Sequence, residues 1–182
     1  MPFCIIYNDI TICEVDMYYK NNETSLYSLR RRLPDAVAVI MGNRENSDIH
    51  GVVKFYQVTN GVFVVVDIVG LPTSAEMCKK DIFAFHIHGG TDCSGNEDDS
   101  FADAGSHYNP QNCPHPYHAG DMPPLFSANG QALLAFLTDR FELEDILGRT
   151  VIIHDAPDDF TSQPSGNSGN KIACGVISKV RR

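Results

Sequence analysis

The chain has 182 residues and an ordinary apolar share of 43%. That is enough for one domain whose core does not need metal in order to fold. Its formal charge of −9, with no large basic patch, excludes nucleic acid as a partner, because phosphates would be repelled. No run of about 18 apolar residues occurs, so no membrane span is expected.

The N-terminal stretch MPFCIIYNDITICEVDMYY is interrupted by Asp9, Glu14 and Asp16 and has no basic leader, so it does not read as a secretory signal. The expected location is the cytoplasm, or an extracytoplasmic compartment if a leader has been left out. Residues 1–34 read as an N-terminal extension. It ends near the run Arg30, Arg31 and Arg32, which is expected to be a solvated charge run. Residues 35–182 read as the domain.

From Asp35 the pattern predicts strands. AVAVIM (Ala36–Met41) is followed by HGVVKFYQV (His50–Val58), where Val53 and Phe55 share one face and Lys54 and Tyr56 the other. Asn60-Gly61 predicts a tight hairpin with positive φ at both central positions, leading into GVFVVVDIVG. IFAFHIH (Ile82–His88) is a further strand. Asn129-Gly130 predicts a second hairpin into QALLAFL. FELEDILG suggests a short helix stopped by Gly148. TVIIH (Thr150–His154) and KIACGVI (Lys171–Ile177) complete the strands. Many short strands and almost no amphipathic helix predict an all-β sandwich or barrel. Two segments rich in Gly, Pro, Asn, Asp and Ser, residues 89–127 and 155–170, read as long functional loops.

Six of the seven histidines lie in those loops or at the strand ends beside them: His86, His88, His107, His115, His118 and His154. Asp121 follows His118 by three residues. Imidazole suits copper and zinc, and a carboxylate can complete a zinc tetrahedron. Seven side chains could serve two four-coordinate ions if one ring were shared. His86 and His88, at i and i+2 of a strand, point to one face. His154 ends another strand and is expected to face the same site from across the barrel. His50 lies outside the cluster and reads as an ordinary surface or edge residue. There is no HExxH, and Gly90 stands where an HxHxDH motif needs its aspartate, so zinc peptidase and metallo-β-lactamase-like chemistry are disfavoured. The six cysteines contain no CxxC and are too sparse for a disulfide scaffold, so one or two bridges at most are expected.

FHIHGGTDC, AGSHYNP, HAGD, GRTVIIHD and GNSGNKIACGVI, in this order, resemble copper/zinc superoxide dismutase, with bacterial-type spacing. The resemblance runs from Asp35 to Val180. It implies an eight-stranded Greek-key barrel with a metal-binding loop and an electrostatic loop. It implies that His86, His88, His107 and His154 hold copper, while His107, His115, His118 and Asp121 hold zinc. His107 would bridge the two ions and return a proton to the departing peroxide. Asp158 would link the two sites through hydrogen bonds, and Cys93 would be bonded to Cys174. The implied substrate is superoxide, with copper cycling and zinc structural. The same scaffold could instead serve as a non-catalytic copper- or zinc-binding protein for sequestration or metal transfer. The resemblance leaves homodimer formation and a copper donor protein open. Lys171 stands where the family usually has Arg. It keeps the positive charge that attracts superoxide and loses the planar fork, so activity is expected to survive but fall. Cys113 is expected to be a bystander, and Cys4, Cys13 and Cys78 to be free thiols.

Overall fold

The computed structural model describes residues 6–7, 10–11, 29, 32–76 and 81–181. Cys4, Cys13 and Cys78, Arg30 and Arg31 lie outside the described residues, and so do the expectations that rest on them. β1 (Ile6–Tyr7) and β2 (Ile10–Thr11) form a two-stranded sheet of their own.

The remaining strands are β3 (Ala36–Gly42), β4 (His50–Val58), β5 (Gly61–Val69), β6 (Ile82–Phe83), β7 (Phe85–His88), β8 (Leu125–Phe126), β9 (Ala132–Thr138), β10 (Thr150–His154) and β11 (Lys171–Lys179). The alternation that predicts them also sets which face is buried. Ala36, Ala38 and Ile40 on β3, and Val53 and Phe55 on β4, are fully enclosed. Burying a side chain such as Phe55 contributes about 1.5–3 kcal/mol. With Phe85, Ile87, Leu125, Ile146, Val151 and Ile153 these residues make one continuous core.

Seven strands pair antiparallel in the order β7-β10-β11-β3-β4-β5-β9. The chain passes from β5 to β7, and again from β9 to β10, by crossing to the opposite edge of the sheet. These are Greek-key connections, and the sheet curls into a Greek-key barrel. The eighth strand is much shorter than the resemblance implies. It is β8, two residues long, paired with β6. β6 runs on into one edge strand, and β8 joins the other through the Ala128–Gln131 turn, so this short ladder links the two edges.

Three local readings come out differently or need refinement. The first hairpin forms, but Gly61 already pairs with Val58, so Thr59 and Asn60 are the two turn residues. Only Gly61 of the predicted pair takes positive φ (127°), and a Cβ there would lie 2.2 Å from the Thr138 carbonyl oxygen. Asn129-Gly130 does take positive φ at both positions. Tyr56, predicted on the outer face, is buried there, because Leu29 packs over it with Val58 and Phe63. The short helix forms as α1 (Leu143–Ile146), closed at its start by a reciprocal Glu142–Asp145 box.

The Cys93–Cys174 disulfide forms, with the two Cα atoms 5.7 Å apart and the cysteines 81 positions apart in sequence. Closing a loop of that length is worth about 4–5 kcal/mol in the chain-entropy model. Phe101, Ala104, Ile152 and Cys174 pack around it as a separate apolar cluster.

Candidate metal centre

One edge of the sheet gathers the histidines. His86 and His88 project from β7, and β10 lies beside it with His88 opposite Thr150. His154 therefore comes from the neighbouring strand rather than from across the barrel. A bulge between Ile153 and His154 sets His154 opposite Lys171 on β11. The loop after β7 folds back onto the outer edge of that strand. The Ile87 N–H donates to the Gly120 carbonyl, and the Tyr108 N–H donates to the Ile87 carbonyl. Backbone bridges pair His86 with Asp121 and His88 with His107. Two loop segments thus deliver His107 and Asp121 beside residues placed by the strand.

The result is two groups of four. His86, His88, His107 and His154 form one, and His107, His115, His118 and Asp121 form the other, with the donor atoms of each group within 4.8 Å of one another. Every member is buried, with between 0% and 7% of its surface exposed. His107 belongs to both groups. Its Nδ1 is 2.7 Å from Asp121 Oδ1 and 3.4 Å from His118 Nδ1. Its Nε2 is buried without a hydrogen-bond partner, as is His86 Nδ1, while His115 Nδ1 meets only Asp121 Oδ2, at 3.1 Å, a member of the same group. Buried polar atoms ordinarily find partners, so two orphaned imidazole nitrogens in one place mark a donor set built for something other than hydrogen bonding. His88 Nε2 and His154 Nε2 are 3.2 Å apart. With ligand bonds of 2.0–2.1 Å a tetrahedron has edges of about 3.3 Å, so both this pair and the His107–His118 pair are spaced for a common ion. The residues fit copper and zinc in chemistry and in spacing.

The ring nitrogens of His86, His88, His115 and His154 that face away from the groups are held. Asp158 accepts from His86 Nε2 at 2.8 Å through one oxygen and from His115 Nε2 at 2.9 Å through the other, tying the two groups together. Gly166 (φ 67°) passes so close to this carboxylate that a Cβ would lie 2.0 Å from Asp158 Oδ1. The Gly105 carbonyl orients His88 and the Gly169 carbonyl orients His154. Gln163 clasps the His115 backbone, accepting from its N–H and donating to its carbonyl. Arg140 Nη1 donates to the carbonyls of Pro116 and His118 and is 3.4 Å from that of Asp121. Arg140→Ala is expected to weaken metal retention in the second group about tenfold while leaving that in the first nearly unchanged, because it loosens only the 116–121 turn. Competition against a chromophoric chelator measures both, and equal losses from the two groups would count against it.

Burial favours the neutral form of His86, His88, His118 and His154, which is the form that binds metal. His88 is pushed well below its ordinary value by burial and by the neighbouring His154 and His107. His154 is pushed down to about 3 by burial and by His86. His86 and His118 are lowered as well, again mainly by burial. Burial would raise Asp158, but its hydrogen bonds from His86, the Phe160 N–H and His115 outweigh that and hold it at about 2. Asp121 is likewise lowered against the effect of burial, chiefly by His107. A sign follows for the metal-free protein. Below about pH 6.5 the unfolded chain takes up protons that folded His154 refuses until about pH 3, so stability falls on acidification across that window. The urea midpoint of chelated protein is expected to be lower at pH 5 than at pH 7; an equal or higher midpoint would contradict this.

A cavity of about 330 Å³ opens over His88, His107, His118 and His154, and Lys171 lines it too. Lys171 is not a free cation there. Its ammonium donates to Asp99 Oδ2 at 2.6 Å and to the Phe101 carbonyl at 3.0 Å. Local sequence could not reveal Asp99, which is 72 residues away from Lys171. Arg140 and Gln163 also reach their partners across long separations, and no motif marks them. Cys113 belongs to neither group, and its backbone is capped by Asn109. His50 is exposed at the start of β4, paired between β3 and β5, its Nδ1 2.8 Å from the Asp48 carbonyl.

The family model described as copper/zinc superoxide dismutase matches residues 49–177. A superoxide dismutase [Cu-Zn] of Legionella pneumophila is 34% identical over 162 residues, covering 85% of this chain and 93% of that protein. Superoxide dismutase [Cu-Zn] 2 of Aquifex aeolicus is 33% identical over 145 residues, covering 71% of this chain and 80% of that one. Among solved structures, the Cu/Zn superoxide dismutase from Brucella abortus superposes with a TM-score of 0.64 at 22% identity, covering 78% of this chain and 98% of its own. At that identity the superposition speaks for the fold.

Proposed function

The chain belongs to the copper/zinc superoxide dismutase family, and from that premise we propose that it converts superoxide to dioxygen and hydrogen peroxide at the two groups joined by His107. His86, His88, His107 and His154 hold copper; His107, His115, His118 and Asp121 hold zinc. The observation that carries the reading is His107 itself, a buried ring that belongs to both groups, with Nδ1 beside Asp121 and Nε2 left without a hydrogen-bond partner. Copper, when bound, supplies a one-electron couple that takes an electron from one superoxide and gives it to the next, and zinc supplies a redox-inert charge. His107 Nε2 is the ring atom that would take a proton from solvent and pass it to the departing peroxide, whose second proton comes from solvent. Asp158 fixes the tautomers of His86 and His115, so that their Nδ1 atoms remain free as donors. Lys171 supplies the positive charge beside the cavity.

Metal content and activity test this together. Protein from its native cells should carry about one copper per chain and dismutate superoxide rapidly. Zinc alone, with no turnover, would favour a non-catalytic metal-binding protein on the same scaffold. We further propose residues 35–182 as the dismutase domain and residues 1–34 as an appended segment. The barrel strands beginning at Ala36 support this. Buried ligands favour delivery of copper by a donor protein. Exposed Leu133 and Leu137 along edge strand β9 favour a homodimer. No helix among the described residues is long and apolar enough to cross a membrane. A cytoplasmic location is proposed, with burial of Cys174 protecting the disulfide from reduction.

A further inference from the structure

Lys171 stands between two hollows. One is the cavity over the histidines. The other is a cleft of about 710 Å³ that carries Glu45, Glu97, Asp98, Asp99 and Asp155. Lys171 is the one lysine or arginine lining either hollow among the described residues. An ammonium has three N–H donors. Two are spent on Asp99 and on the Phe101 carbonyl, so a single one remains for a ligand. Asp99 is not a mobile surface carboxylate that happens to be near. It lies on the loop tied down by the Cys93–Cys174 bond, two residues before Phe101, which packs with Ala104, Ile152 and Cys174. The Phe101 N–H donates to its side chain, and the Asp99 carbonyl accepts from Asn96 and Ala102.

We propose that Asp99 is a positioning residue for the reaction: it clamps the Lys171 ammonium to the disulfide-tied loop and cancels most of its charge, so that an arriving anion meets a paired dipole rather than a free cation. The proposal rests on the dismutase reading above. A dipole attracts an anion over a shorter range than a single charge does, and the acidic cleft beside it adds repulsion. On this view the chain is tuned below the capture rate that its scaffold allows.

Asp99→Asn keeps the shape and an oxygen that can accept from Lys171 but removes the charge. In metal-loaded protein it is expected to raise kcat/KM about tenfold at low ionic strength, with kcat unchanged. Salt at physiological strength and above should erode the gain. Asp98→Asn makes the same change in net charge in the same cleft without touching Lys171, and its gain should stay under about twofold. Two readouts do not depend on turnover. Azide, as a small-anion probe, should bind the Asp99→Asn protein more tightly. The Lys171 amine should react faster with an acylating reagent, read by peptide mass spectrometry. Equal gains from the two variants would overturn the proposal, as would a fall in kcat/KM at full metal content or an unchanged labelling rate at Lys171. A wild-type protein without dismutase activity would sink the functional reading instead, and labelling would still report on the pair.

Discussion

His107→Ala is expected to lower zinc affinity about 100-fold or more and to reduce dismutation by at least as much. Among the described residues no other side chain belongs to both groups. The substitution removes one nitrogen from each, leaving each with three members, and it strips Asp121 Oδ1 of its 2.7 Å partner. Asp121 is kept ionised chiefly by that contact, working against burial, so the remaining zinc set is also less well matched in charge. The backbone bridge between His88 and residue 107 does not depend on the side chain, so the loop edge should still dock and the fold should persist. His118→Ala separates sharing from mere membership. It removes one donor from the second group alone, so zinc should be lost while copper is kept. Metal analysis after dialysis, beside a superoxide assay, reads both variants. If His107→Ala kept both metals and turned over normally, the two groups would not be coupled through this ring.

How far the centre was legible depends on which interactions are local in sequence. The pairing of His86 with His88 follows from the two-residue period of a strand, and the strand itself follows from IFAFHIH. The two long loops announce themselves through Gly, Pro and Asn content. Bringing His107 and Asp121 onto the β7 edge was not readable, because it rests on backbone bonds from Tyr108 and Gly120 that no side-chain pattern encodes. Tyr56 looked solvent-facing because the alternation on β4 takes no account of Leu29, which covers it from outside the sheet. The placement of His154 across the barrel failed for a related reason. Greek-key crossings separate sequence order from spatial order, so β7 and β10 are neighbours although β8, β9 and α1 lie between them in the chain. The ion pair of Lys171 was invisible because its partner is carried by a different loop.

Lys171→Glu is expected to reduce kcat/KM about 100-fold while both metals stay bound, because residue 171 donates no ligand atom to either group. The physical reason lies in what the lysine leaves behind. At present its ammonium offsets Asp99 at 2.6 Å, so the pair is close to neutral where the cavity meets the acidic cleft. A glutamate there removes one positive charge and adds a negative one, turning a neutral pair into two carboxylates that repel each other and any approaching anion. Lys171→Arg should move the rate upward. A guanidinium offers five donors in a planar fork, so it can engage both Asp99 and the Phe101 carbonyl and still present N–H groups to the cavity, where the ammonium has one left. Asp99 would still offset its charge, so the gain should be severalfold at most and should come from docking rather than from long-range attraction. Salt separates the two effects: the loss in Lys171→Glu should shrink as ionic strength rises, and the gain in Lys171→Arg should change little. Should all three proteins dismutate superoxide at one rate, residue 171 plays no part in recognising the anion.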